Sequence, residues 1–395
     1  MTSHATSLNR PKVAFVFDRV MHYHLDLFRH MEIRLANRGI ELHLISGTHP
    51  DHETGRVAVT EKVIPLELKF PLRDKKVGSF VFRLAFGYLK MIWMLRPDVV
   101  VCPAHPGDLG HWGLMVLKKL SNFRLLAWQC GYEYNPGRLK RWLLRHFVPG
   151  FDFHLAYHSN ASRYALENGS REDQVAIMHN TINEEKFIIT EKQEALAILR
   201  QRHPEIGERK LVLYVGAVLL EKKLEHVLEA MARLARNDAV LMIVGDGPHL
   251  PVLRATAASR KDVVFTGQVI EGVGMYFDAA DVYVLPGTGG LGINEAMAHS
   301  LPIISGYADG SADDLVLDGE NGYRLREDSV EELSRRIAWI LDHPEEAKQM
   351  GIKSHAWITG KFSFQMFLDR VEEVLVKQLQ DRDSNGDLST VKNAK

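Results

Sequence analysis

The stretch LPGTGGLGINEAMAHSLPIISG, residues 285–306, runs from an apolar strand through a glycine-rich turn into a helix and out to a second strand. Gly287, Gly289, Gly290 and Gly292 crowd the strand-to-helix turn, where a glycine costs about 1 kcal/mol against alanine. So many glycines imply that something approaches the backbone closely. If the helix starts near Gly290, its unpaired N–H groups and positive dipole end form a seat for an anion, and the small residues let a phosphate come near. A tight turn without a ligand is the alternative reading of the same residues.

Strand and helix alternate in this way along the whole chain. The apolar runs VAFVF, LHLIS, DVVVC, LLAWQ and HLAYHS come first, and LVLYVG, VLMIVG, VVFTG, DVYVLPG and LPIIS follow, with helical patterns between them. Continuous apolar strands separated by helices define parallel sheets covered on both faces, and two such series predict an α/β protein of two doubly wound, Rossmann-like domains. The polar and charged segment at residues 178–210 divides the series. The expected domains are therefore residues 1–180 and 181–362, with a polar, disordered tail at residues 381–395. Ligands of open parallel sheets sit at the carboxyl ends of the strands, so two such domains facing across a cleft place a ligand between them.

At 395 residues the chain exceeds one ordinary core, and with 46% hydrophobic residues and a formal net charge of −1 it reads as globular. Global charge gives no reason to expect nucleic acid. Cys102 and Cys130 cannot build a disulfide framework, which fits a reducing, cytoplasmic setting. The polar start MTSHATSLNRPK and the short run VAFVF do not read as a signal peptide, and FVFRLAFGYLKMIWML is interrupted by Arg83 and Lys90. Charge is nevertheless uneven: residues 73–145 hold thirteen Lys or Arg against four Asp or Glu. Apolar residues at helical spacing interleave with these bases in RDKKVGSFVFRLAFGYLKMIWMLR and RLKRWLLRHF, which include Lys75, Lys76, Arg138 and Lys140. That pattern suits a helix face on anionic lipid, at the inner face of the cell membrane, or one gripping a lipid diphosphate; ordinary packing with a solvated basic face is the alternative.

Two more segments extend the opening one. LYVGAVLLEKKLEHVLEAM sets Glu221, Lys222 and Lys223 at a helix start, where a lysine opposes the dipole unless an anion or solvent compensates it. LMIVGDGPHL ends a strand in a glycine turn at residues 245–248. In their order and spacing, HSNASRYALENGSREDQVAIMHNTINEEKF, YVGAVLLEKKLEHVLEAM, IVGDGPHL, VVFTGQV, DAADVYVLPG, GLGINEAMAHSLPII and DGENGYRL resemble a family 4 retaining glycosyltransferase of the GT-B fold, of glycosyl transferases group 1.

This resemblance implies an acceptor-binding first domain, a nucleotide-sugar-binding second domain and a helix at residues 363–380 that crosses back to the first. It implies that Lys222 holds the donor diphosphate and that Glu295, the second of two glutamates separated by seven residues, binds the ribose hydroxyls. Val269 falls where the backbone meets the base, and Gly290 and Leu291 where amides meet phosphate and sugar; Gly245, Thr288 and Gly289 complete the donor set. The first glutamate of the pair falls at Gly287, and the family's arginine falls at Ala217. The first domain departs further, with FDRVMHYHLD in place of a glycine-rich loop and WQCGYEY in place of a histidine near residues 129–131. His24 and His105 are the remaining catalytic candidates beside Lys222, and Arg19, His22 and Glu133 the acceptor candidates. Asp309 and Gly310 line the sugar pocket or form a simple turn, while ADD at residues 312–314 and DRD at 381–383 read as surface. No metal or cofactor is expected, only a nucleoside diphosphate sugar as donor.

The function so implied is metal-independent, retaining transfer of a hexosyl-type sugar to a surface-polysaccharide, lipopolysaccharide or lipid-linked glycan acceptor. A nucleotide-sugar epimerase of the same fold and a catalytically silent nucleotide-sugar-binding protein are the alternatives.

Overall fold

The computed structural model describes residues 10–48, 61–71, 74–77, 80–83, 87–131, 137–306, 310–326 and 328–392, which fall into two compact units. The first unit runs through Met178 and resumes at Leu368; the second spans His179–Phe367.

The first unit is built on strands β1 (Lys12–Phe17), β2 (Glu41–Thr48), β3 (Glu67–Pro71), β6 (Val99–Pro103), β7 (Arg124–Gln129), β8 (Phe153–Ala156) and β9 (Val175–Ile177). All are parallel, in the order β3-β2-β1-β6-β7-β8-β9. Val99 to Pro103 are buried without a break, as expected of a strand covered on both faces. Between the strands come α1 (Leu25–Asn37), α2 (Gly87–Leu95), α3 (Leu109–Ser121), α4 (Arg138–Phe147) and α5 (Ser159–Glu167). Asp108 caps α3 by accepting from the Gly110 N–H at 2.8 Å, and His158 caps α5 through Nδ1. Part of the basic segment expected to be helical is instead an antiparallel hairpin, β4 (Asp74–Val77) with β5 (Phe80–Arg83). Val77, Phe80, Val81 and Phe82 prefer a pleated surface, and the Gly-Ser pair between the runs breaks a helix.

The second unit repeats the plan with β10 (Lys210–Val215), β11 (Ala239–Val244), β12 (Val263–Gly267), β13 (Val282–Leu285), β14 (Ile303–Ser305) and β15 (Gly322–Arg324). Their order, β12-β11-β10-β13-β14-β15, is again wholly parallel. Around them lie α6 (Lys192–Arg202), α7 (Leu224–Leu234), α8 (Leu250–Thr256), α9 (Gly274–Ala279), α10 (Leu291–Ala298), α11 (Ser311–Leu315), α12 (Val330–Asp342) and α13 (Pro344–Thr359). The strand order reverses direction between β10 and β13, which makes their carboxyl ends the ligand-binding switch point of such a sheet. In the first unit the equivalent point lies between β1 and β6.

The last helix, α14 (Phe364–Lys392), passes through the stretch that composition assigned to a disordered tail. From Leu368 onward it belongs to the first unit, burying Leu368, Val371 and Leu375. Arg34 bonds Asp369 at 2.6 Å and Glu372 at 3.0 Å, and the Arg124 guanidinium donates to Gln378. Arg382, inside the supposed surface triplet, pairs with Asp98 and donates to the Asn122 carbonyl. These anchors are long-range in sequence, so a polar local composition does not reveal them. Among the described residues no helix is long and apolar enough to cross a membrane.

Candidate functional site

At the switch point of the second unit, two loops close on each other through their backbones. After β10 the chain turns through Gly216 and a short 3-10 turn, Leu220–Lys222; after β13 it passes through Pro286 to Gly290 into α10. The Thr288 N–H donates to the Glu221 carbonyl at 2.9 Å, and the Lys222 ammonium donates back to the Thr288 carbonyl at 2.5 Å. Gly287 is what permits this: a Cβ there would lie 2.1 Å from the Glu221 oxygen and 2.6 Å from the Lys222 Cα. Gly289, at φ 139°, comes closer to the ammonium, since its Cβ would lie 2.9 Å from Lys222 Nζ.

The structure separates the two lysines that the sequence leaves together. Lys223, in a left-handed conformation at the start of α7, is paired with Asp328 at 2.5 Å. Lys222 alone is carried to the start of α10. That helix begins at Gly290 with no side-chain cap and no acidic residue in its first turn. An ammonium beside an uncapped, positive helix end is an arrangement that an anion stabilises.

One turn on, Glu295 is half-buried, and its carboxylate has no hydrogen-bond or ion-pair partner among the described residues. Burial pushes its pKa up, and nearby His299 offsets this in part. Its neighbour Asn294 faces the other way, donating to the Thr181 hydroxyl at 3.0 Å. Gly245 joins the β11 loop to the β10 loop, for its Cβ would lie 1.9 Å from the Gly216 carbonyl oxygen. Val269 follows β12, two strands away from β10, and packs against the core of the unit. Ala217 offers its carbonyl to the Tyr214 hydroxyl at 2.8 Å.

Sequence reasoning missed Arg324, which stands on β15 where the motif DGENGYRL suggests only a strand. Its guanidinium donates to the Gly306 carbonyl at 2.6 Å and pairs with Asp313, spanning both ends of the segment after β14. Asp314, half-buried, in turn pairs with His179 at 3.3 Å, while Asp313 is exposed as the surface reading expects. Gly310, at φ 94°, starts the short helix α11; Asp309 lies outside the described residues. Among the described residues no group of three His, Cys, Asp or Glu is placed to hold a metal.

In the first unit, Arg19, His22 and His24 follow β1 and His105 follows β6, at the corresponding switch point. His24 is not presented to a ligand. It is buried among Phe17, Tyr23 and Phe28, its Nδ1 accepts from the Met21 N–H, and burial lowers its pKa to about 4. Burial of this kind favours the neutral ring and places His24 in the aromatic packing after β1. His22 is exposed, Arg19 half-buried, and His105 exposed with its ring stacked on His111. Glu133 lies outside the described residues. Two residues at the ends of the neighbouring strands β7 and β8 were overlooked: Gln129, buried with Oε1 unpartnered, and Tyr157, whose hydroxyl accepts from the Trp128 indole at 2.5 Å. Their signal was available, since each is a polar residue closing an apolar strand run.

A pair of doubly wound parallel units, one with a glycine-lined strand-to-helix turn at its switch point, gives the fold class, GT-B. The sequence pattern of the family described as Glycosyl transferases group 1 matches residues 197–357, within the second unit. The chain is 29% identical over 197 residues to a GDP-mannose-dependent alpha-(1-6)-phosphatidylinositol monomannoside mannosyltransferase of Mycobacterium tuberculosis, covering 46% of this chain and 51% of the relative. The chain thus spans about half the length of the curated relatives it matches. Its fold is that of HepE from Anabaena, solved in complex with UDP, at a TM-score of 0.73 and 16% identity over 93% of this chain and 100% of the other. Sucrose-phosphate synthase from Thermosynechococcus elongatus is similar to the same degree, with TM-score 0.73, 18% identity and 94% and 100% covered.

Proposed function

We propose that the protein is a retaining glycosyltransferase that moves a sugar from a nucleoside diphosphate sugar to a surface-polysaccharide, lipopolysaccharide or lipid-linked glycan acceptor, in the cytoplasm at an anionic membrane. The observation that carries the reading is the Lys222 ammonium held against the Thr288 carbonyl at the uncapped start of α10. In transfer, the bond from the anomeric carbon to the diphosphate oxygen breaks, and a bond to the acceptor oxygen forms on the same face. The acceptor proton goes to the departing phosphate oxygen.

Lys222 and the first amides of α10, at Leu291 and Gly292, neutralise the charge that develops on the diphosphate, so the step is assigned no metal. Glu295 accepts from the ribose hydroxyls, and the backbone near Val269 meets the base. His105, His22 and Arg19 are the described residues assigned to the acceptor side. The name of the mannosyltransferase relative supports a glycolipid acceptor, and the UDP complex of HepE supports a nucleoside diphosphate as part of the donor.

Thermal-shift screening against UDP, GDP and their sugars tests the donor half, because a ligand at a hundred times its dissociation constant adds about 2.7 kcal/mol. Lys222→Ala removes a charge-assisted bond and is expected to weaken nucleotide binding about ten- to a hundredfold. Nucleotide affinity within twofold of the parent removes Lys222 from the site. Turnover of the donor without acceptor, with sugar inversion at carbon, identifies an epimerase instead, and binding without turnover a silent partner.

A further inference from the structure

The first unit carries a surface that the chemistry above does not use. Helices α2, α3 and α4 lie side by side: a Cβ on Gly113 of α3 would meet Leu89 of α2 at 2.7 Å, and Trp112 of α3 packs on Phe147 of α4 at 4.9 Å. None of the three helices contains an Asp or a Glu. Their outward sides expose large apolar residues instead. Trp93 and Met94 on α2 are 50% and 71% exposed, Leu120 on α3 is 71% exposed, and Trp142 on α4 is 58% exposed, with Val116 and Leu143 beside them. Lys90, Lys119, Arg138, Arg141 and Arg145 are exposed on the same helices.

A cavity of about 400 Å³ opens next to Met94, where α2 ends. Arg10, Lys12, Arg96 and Arg382 line it against Asp98 and Asp383. Asp98 is already engaged, by Arg382 and by the Lys12 N–H at 2.6 Å. The guanidinium groups of Arg10 and Arg96 have no partner among the described residues.

From these observations we infer that the α2–α3–α4 face docks on an anionic phospholipid bilayer, with the cavity at its edge receiving a headgroup phosphate. Apolar side chains of this size, two of them tryptophan, gain from entering the headgroup boundary, and the acid-free basic surround gains from lipid phosphate. A second copy of the chain fits less well. Two-fold pairing of this face would set its bases against themselves. The inference rests on the proposed function only in taking a membrane as the place of work, and lipid binding is read separately from nucleotide binding.

The test is flotation of the full chain with vesicles of phosphatidylcholine alone and of phosphatidylcholine with phosphatidylglycerol, at low and high salt. The parent is expected to float with the anionic vesicles only and to be released by salt. Arg138→Gln, Arg141→Gln and Arg145→Gln together should weaken vesicle binding roughly a hundredfold, each charge contributing about fivefold. Trp142→Ala should weaken it with the charge unchanged, and Arg10→Gln with Arg96→Gln should do so without touching the helix face. All these positions are exposed, so melting temperature and nucleotide binding should stay at parental values. A parent that ignores anionic vesicles at low salt, or variants that bind like the parent, would overturn the inference. So would a dimer in sedimentation that the same substitutions dissolve, or stabilisation by inorganic phosphate without vesicle binding. Vesicle binding with no nucleotide binding would sink the proposed function and leave the docking face standing.

Discussion

Replacing Gly287 by alanine is the smallest change that tests how the site is built. The new Cβ would sit 2.1 Å from the Glu221 carbonyl oxygen and 2.5 Å from the Lys222 carbonyl carbon, both backbone atoms that no rotamer change can move. Ordinary contact needs about 3.4 Å, so the two loops must part by about 1 Å, an overpacking that costs roughly 1–3 kcal/mol. For a unit of this size that lowers the melting temperature by about 2–4 °C per kcal/mol. The same displacement breaks the bond from the Thr288 N–H to Glu221 and carries Lys222 away from α10. Nucleoside diphosphate affinity should therefore fall about tenfold or more, as it does when a charge-assisted bond is lost. Gly137→Ala is the control, because a Cβ there meets nothing within 4 Å. Differential scanning fluorimetry and titration calorimetry with UDP and GDP read both effects. If Gly287 merely opened room for the donor sugar, alanine would leave melting and nucleotide affinity untouched; that result refutes the loop-contact argument.

Glu295→Gln should lower nucleotide affinity yet raise the melting temperature at neutral pH. A carboxyl whose pKa is raised in the folded state destabilises it above the ordinary carboxylate range, and the difference should vanish as pH falls below that range; a melt unchanged by the substitution at pH 7 counts against the burial argument. His24 and His154, both lowered from 6.5 to about 4 by burial, bind protons more readily unfolded, so stability present above pH 6.5 should be lost as pH falls toward 4. Each contributes up to roughly 3 kcal/mol to that loss, and a His24→Phe variant with the same melting-against-pH slope as the parent would deny His24 its share. Arg324→Leu leaves the Gly306 carbonyl and Asp313 without their shared donor and should cost about 1 kcal/mol. It should weaken binding of a nucleotide sugar more than of the bare diphosphate, and equal effects on the two ligands would remove the segment after β14 from the sugar end.

The alternation of apolar strands and helices, read without any structure, determined two parallel, doubly wound sheets, because a strand buried on both faces must be apolar at every position. It also determined the glycine turn before α10, since glycine run and helix start are neighbours in the chain. Which of Lys222 and Lys223 faces that turn was decided by tertiary structure, through Asp328, a residue more than a hundred positions away. The role of Gly287 was likewise invisible: a missing side chain looks the same whether it admits a sugar or another backbone. His24 reads as chemistry from its type and place, whereas the aromatic residues packed around it, which bury it, come from the fold. The polar end of α14 read as a tail because local composition carries no record of Asp98 and Asn122, which hold Arg382 from the far side of the sequence. Local pattern fixes elements whose physics is local, namely backbone conformation and the side that is buried. Pairings between distant polar groups depend on the fold that brings them together, and at this site they decide what each residue does.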